Sequence, residues 1–220
     1  EMPDADFAIS VLTPVDNTVW VGTNRGVAVI NKQQLNLVAS YRQQLPNAPI
    51  TDIVHQTIAN EGTTWVATRG GGIAYLKSDM TWSLIERSDN GLKSDTINAL
   101  AASRDKIYAA TPQGPSEIDG ATGTVSRDDV FNRNPLIGNP LGQVASNDIH
   151  YDIGSETLFV ATTNGLAVRR NDDWSKYQIG EDNPAEPDAP RGLPIDAGSN
   201  DIRAVTFDGT YIWLLNARGG

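Results

Sequence analysis

The chain has 220 residues, of which 39% are hydrophobic, with 20 Gly and 12 Pro, an ordinary globular composition that argues against disorder. Its 17 basic and 27 acidic residues leave a net charge of −10, which disfavours binding to nucleic acid or to an anionic bilayer. No segment reaches the roughly 18 consecutive apolar residues of a membrane span, the start EMPDADFAIS lacks the basic and apolar regions of a signal peptide, and the absence of cysteine rules out disulfides and thiolate metal sites.

Read in order, the chain repeats itself. The segment VWVGTNRGVAVI from Val19 returns as TWVATRGGGIAYL from Thr64, IYAATPQGPSEID from Ile107, LFVATTNGLAVRR from Leu158 and YIWLLNARGG from Tyr211. The aromatic anchors Trp20, Trp65, Tyr108, Phe159 and Trp213 stand 45, 43, 51 and 54 residues apart, and a glycine follows six residues after each, at Gly26, Gly71, Gly114, Gly165 and Gly219. Each copy has the same grammar. An apolar patch comes first (Ala8 to Val11, Ile53-Val54, Ile97 to Leu100, Ile149 to Tyr151, Ile202 to Val205) and reads as a first strand. The anchor strand follows, with a small residue (Gly22, Ala67, Ala110, Ala161) that suggests close approach of another sheet, and then a Thr. A glycine-bearing turn leads into a third strand. The segments NLVASY, TWSLIE, GTVSRD and DWSKYQI supply a fourth. Helical spacing over Gln33 to Leu45 is set aside, because the matching slots of the other copies read as strands.

Four short strands every 43 to 54 residues are the arithmetic of a β-propeller. The expected fold is all-β: four full blades of about 45 residues (about 7–45, 50–92, 96–135 and 148–180) and a truncated fifth (201–220). The anchors are expected to be largely buried. The fifth copy stops near its hairpin turn, so its second strand is expected to present an open edge, completed by a missing C-terminal part or by another protein chain.

The repeat resembles the two-component regulator propeller, whose pattern joins an Ile-led first strand, an acidic-Gly turn and W-V-G-T-x-x-G-L. Copies one, two and four fit well; copy three departs at Tyr108 and Pro115, and copy five at Leu215 and Asn216. The resemblance implies a periplasmic or extracellular bacterial sensing module that binds ligands or partners without catalysing.

Site candidates follow from the topology. In a propeller, the turn between second and third strands shares a face with the links between blades, and the long links Asn132 to Asn147 and Gly180 to Asn200 vary most. That face is expected to recognise a small molecule, a glycan or a protein, with Arg25, Arg69, Gln113 and Asn164 at equivalent turns, and His150, as the binding candidates. Arg25 and Arg69 offer planar donor forks to an anion, although turn residues are polar for local reasons too. The polar pairs Thr51-Asp52, Asp95-Thr96, Asn147-Asp148 and Asn200-Asp201 read as backbone-bonding turn chemistry in preference to a Ca²⁺ ring. Neither His55 nor His150 has the spacing of a zinc pair, and Trp82 and Trp174 recur as blade packing. No catalytic motif, metal or cofactor enters the reading. The alternatives are a propeller lyase working near the channel mouth with His150 and Asp148, and a purely structural scaffold.

Overall fold

The computed structural model describes residues 8–87, 91–126, 131, 144–171, 173–178 and 199–218, and every named element is a strand. The first sheet comprises β1 (Ile9–Val15), β2 (Thr18–Thr23), β3 (Gly26–Asn31) and β4 (Leu37–Tyr41), paired antiparallel in chain order. The stretch considered for a helix thus contains β4. The second sheet repeats this order with β5 (Ile50–Ile58), β6 (Glu61–Thr68), β7 (Ile73–Leu76) and β8 (Trp82–Ile85). The third holds β9 (Ala99–Ala102), β10 (Lys106–Ala110) and β11 (Ser116–Asp119), and the fourth β12 (Ser146–Asp152), β13 (Thr157–Thr162), β14 (Gly165–Arg170) and β15 (Asp173–Tyr177). The fifth pairs β16 (Ile202–Phe207) with β17 (Ile212–Asn216).

The third copy shows three strands among the described residues. Where the fourth strand is expected, a bridge joins Ile118 to Val125 and the Ser126 amide donates to the Glu117 carbonyl at 2.8 Å, while residues 127 and 128 of that segment lie outside the described residues. Its third strand also starts late. In the fourth sheet the ladder begins with Thr162 opposite Gly165, whereas here Pro115, having no N–H to donate, stands outside and pairing begins with Ala109 opposite Ser116.

A twisted sheet with two apolar faces must be covered on both, and consecutive sheets supply the cover. One apolar cluster lies between each neighbouring pair. Trp20, Val27 and Val29 of the first sheet meet Ile50, Ile53 and Val66 of the second. Trp65, Ala67, Ile73 and Ile85 of the second meet Ile97, Leu100, Ile107 and Ile118 of the third. Tyr108 and Ala110 of the third face Ile149, Leu158 and Val160 of the fourth, with Phe131 filling the outer part against Trp174. Phe159, Ala161 and Leu166 of the fourth meet Ile202 and Val205 of the fifth. The anchors Trp20, Trp65, Tyr108 and Phe159 therefore each point to the sheet that follows.

The small residue after the anchor has the expected reason. A Cβ on Gly22 would lie 2.5 Å from Val11 Cγ1 and 2.8 Å from Ile50 Cγ2 of the next sheet. Trp20, Trp65, Tyr108 and Phe159 are buried, but Trp213 is 59% exposed, against the expectation of five buried anchors. The cause is position: among the described residues no sheet follows β17, so the face that carries Trp213 and Leu215 is uncovered. The backward face of the first sheet is uncovered in the same way, exposing Leu12 and Leu37.

Candidate functional site

The turns between second and third strands line one rim. Each is tied to a segment that enters a first strand: the Asn24 amide to Ala8 O, Arg69 to Pro49 O, Gly70 and Gly72 to Asp95 O, Thr163 to Ala145 O and Ala217 to Asp201 O, and in the third copy, where Pro112 has no N–H, the Ser146 amide to Thr111 O. Arg25, Arg69, Gln113 and Asn164 stand on this rim, all exposed. The described ends of the two long links, at 144–147 and 199–200, reach the same rim; residues 132–143 and 180–198 lie outside the described residues.

A repeated threonine holds these turns rigid. The hydroxyls of Thr23, Thr111 and Thr162 each donate to the carbonyl of the glycine three residues on (Gly26, Gly114 and Gly165, at 2.9, 2.6 and 2.7 Å). The same oxygens accept the amides of Arg25, Gln113 and Asn164. Tip residues are thus fastened through their backbone, leaving side-chain identity free.

In the second sheet the lock spans one residue more, Thr68 Oγ1 reaching Gly72 O at 2.8 Å and accepting from Gly71 N. The register glycine there is Gly72, not Gly71. It sits at φ 74°, and a Cβ would be 2.2 Å from Ile85 O, as one on Gly26 would be 2.4 Å from Tyr41 O. The fifth copy, which departs from the pattern at Asn216, keeps the lock with different chemistry: Asn216 Oδ1 accepts the Arg218 amide at 2.9 Å. Gly219 lies outside the described residues.

His150 is not part of this tip row. It lies on β12 opposite Phe159, half-buried, with its ring 6.2 Å from the Phe159 ring, and burial pulls its pKa below the ordinary value against the pull of Asp148 and Asp152. Asp148, two residues earlier, accepts the amide of Ile149 through Oδ1 and that of Val205, on the next sheet, through Oδ2, both at 2.8 Å. Asp52 does the same two repeats earlier, with Ile53 and Leu100. Burial raises the pKa of both carboxyls. These aspartates are clamps between sheets, which residue type at a turn did not reveal; the signal was a carboxylate at a similar distance before each anchor, 13 residues for Asp52 and 11 for Asp148, blurred by a hairpin two residues longer in the second sheet.

The other polar pairs split. Asp95 uses Oδ1 to accept the Arg87 amide, and its carbonyl serves the turn at Gly70 and Gly72. Asp201 Oδ1 accepts from Asn147 Nδ2 at 2.9 Å. Among the described residues no group of three or more His, Cys, Asp or Glu is placed to hold a metal ion. Trp82 and Trp174 pack against the clusters between sheets.

Stacked antiparallel sheets of up to four strands, the aromatic anchors of the first four repeats each covered by the next sheet, define a β-propeller. Solved structures of the same fold include the extracellular domain of the hybrid two-component system BT4673 from B. thetaiotaomicron, with a TM-score of 0.66 and 21% identity over 97% of this chain and 27% of that one. PorZ, a surface component of the type-IX secretion system of Porphyromonas gingivalis, aligns with a TM-score of 0.65 and 14% identity over 97% of this chain and 26% of its own. The β-propeller domain of Swd1 from Myceliophteria thermophila aligns with a TM-score of 0.64 and 11% identity, over 95% of this chain and 62% of that domain. The chain thus spans about a quarter of the two bacterial surface proteins. No family model and no curated protein matches it.

Proposed function

We propose that this chain is part of a non-enzymatic recognition propeller of a bacterial sensor or assembly protein, working in the periplasm or outside the cell. The observation that carries the reading is the rim: four equivalent turns whose backbones are pinned by threonine hydroxyls and whose exposed side chains differ, Arg25, Arg69, Gln113 and Asn164. A rigid scaffold with variable tips suits binding, since affinity grows when the contact groups are ordered beforehand. The guanidinium groups of Arg25 and Arg69 favour an anionic small molecule, an acidic glycan or a carboxylate on a partner protein. The extracellular setting of the similar BT4673 domain and the surface location of PorZ support the compartment, and no helix among the described residues is long and apolar enough to cross a membrane. Asp148 spends both oxygens on backbone amides, which favours a structural role for it over proton transfer with His150.

The uncovered faces at Trp213 and at Leu12 belong, in this reading, against further blades of the same repeat, supplied by more of the polypeptide or by another chain. Titration calorimetry with a panel of uronate and sulfated oligosaccharides tests the rim. A ligand whose affinity drops about tenfold or more in Arg25→Ala/Arg69→Ala, with His150→Ala silent, is the expected result. Turnover of any panel member that His150→Ala abolishes would replace the reading with the lyase alternative.

A further inference from the structure

First strands carry a bulge at one fixed place. The register slips between Ile9 and Val11, Ile50 and Asp52, Ser146 and Asp148, and Ile202 and Ala204, leaving Ser10, Thr51, Asn147 and Arg203 as the extra residues. In the third sheet Asn98, just ahead of Ala99, occupies the same slot, its amide bonded to Ala110 O. Three of these side chains reach forward. Thr51 Oγ1 donates to Ile97 O at 2.7 Å, Asn98 Nδ2 to Ser146 O at 2.8 Å and Asn147 Nδ2 to Ile202 O at 2.7 Å. In every case the acceptor is the carbonyl immediately before the next sheet's bulge slot. Ser10 differs, donating to Gly22 O of its own sheet, and there Thr13 Oγ1 crosses instead, to Ile53 O at 2.7 Å.

Arg203 holds the slot in the fifth sheet. Its side chain is 52% exposed and paired with Asp201, on the edge of the face that leaves Trp213 and Leu215 uncovered. A guanidinium has five N–H donors in a planar fork, so the contact with Asp201 leaves donors for a second acceptor. Resting on the proposal that blades of this repeat cover the open faces, we infer that Arg203 continues the relay: the forward face of the fifth sheet receives the first strand of another blade of this repeat, and Arg203 donates to the carbonyl just before that strand's bulge. The occupant is a blade continuing the same ring. The Swd1 propeller domain, of which this chain covers 62%, leaves room for two or three more sheets along that path, whereas a second copy would bring five.

The chain itself supplies the test. Asn216-Ala217-Arg218-Gly219 matches Thr23-Asn24-Arg25-Gly26 position for position, so residues 1–219 followed by a second copy of residues 27–87 add the fifth sheet's missing strands, a short link and one whole blade in register. Because the chain has no cysteine, Leu215→Cys introduces a single thiol on the face in question. Labelling of that thiol by a disulfide reagent is expected to slow about tenfold or more on extension, since reaction then requires the new blade to open. Arg203→Ala in the extended chain is expected to restore most of the labelling rate, and Arg203→Asn, the residue type of the third and fourth slots, to keep protection. Equal labelling with and without the extension, or an extended chain that loses its cooperative melt, would overturn both the inference and the blade-completion proposal. Protection that Arg203→Ala leaves intact would overturn the relay alone. Concentration-dependent protection of the unextended chain, with a dimer in sedimentation, would make a second copy the occupant and overturn the inference in that way.

Discussion

Trp65 and Trp213 fill the same place in the repeat and live in opposite surroundings. Trp65 is wholly buried and stacks on Tyr75, ring centroids 4.6 Å apart, while Ile97, Leu100 and Ile107 of the third sheet cover it. Trp213 has its indole N–H on Asp208 Oδ2 at 2.8 Å and its ring largely in solvent. The strand around each is formed by its own sheet, so local structure survives without a neighbour. Burial does not. It is completed by the next blade, which makes each sheet's core a property of a pair.

The sharpest way to break this comparison is to truncate both anchors. Trp65→Ala is expected to cost about 3–5 kcal/mol in urea unfolding, and Trp213→Ala well under 1 kcal/mol. Equal losses would mean that the anchor's energy is internal to its sheet. The next effect tests a contact between sheets that is polar. At the position opposite the anchor, Val29, Tyr75 and Val168 have Glu117 as their counterpart in the third sheet, and Arg169 of the fourth sheet lies 3.9 Å from it, the side chains 10% and 19% exposed. Beside them the Tyr108 phenol is pushed up to about 12, by burial first and then by the Glu117 charge. Arg169→Met removes a charged partner from a buried carboxylate and is expected to cost roughly 3 kcal/mol, while Glu117→Leu/Arg169→Met together is expected to recover most of it. A double variant no better than Arg169→Met alone would show that the site tolerates no apolar substitute.

Third in size is the turn lock. Thr111→Val removes a buried hydroxyl that serves two backbone groups and is expected to cost about 1–3 kcal/mol by chemical denaturation, whereas Gln113→Ala at the exposed tip is expected to stay within about 0.5 kcal/mol. A large loss at Gln113 would mean that the tip is structural and the rim less free to vary than proposed.

The smallest effect concerns pH. Asp148, clamped between sheets, has its pKa raised by burial, so between the unfolded value and that raised value the folded chain holds more protons and the group's contribution to stability falls as pH rises. Asp208, at an open turn, has its pKa lowered by accepting the Tyr211 amide, the Trp213 indole and the Thr210 amide, so its contribution is lost as pH falls through the folded value. The stability gap between the wild-type chain and Asp148→Asn is therefore expected to narrow as pH rises from about 4 to neutrality, and that for Asp208→Asn to close as pH falls below about 4, as read from urea titrations over both ranges. Slopes of the same sign would refute the contrast between buried clamp and open turn.

Repeat identity, strand order and the rim of turns were legible in the residues, because an anchor, a small residue, a threonine and a glycine at fixed spacing are each required by contacts inside one sheet or by the close approach of its neighbour. Even the departure at Asn216 obeys that local rule, since an amide oxygen accepts the Arg218 N–H as the threonine hydroxyls do in other turns. The tertiary structure alone decided what depends on two sheets at once. It made Asp52 and Asp148 clamps, set Thr51, Asn98 and Asn147 in a forward relay, moved the register glycine to Gly72 and left Trp213 in solvent. A residue's chain neighbours carry the information for its turn or strand; which amide or carbonyl faces it from 40 to 60 residues away is fixed only when the sheets stack.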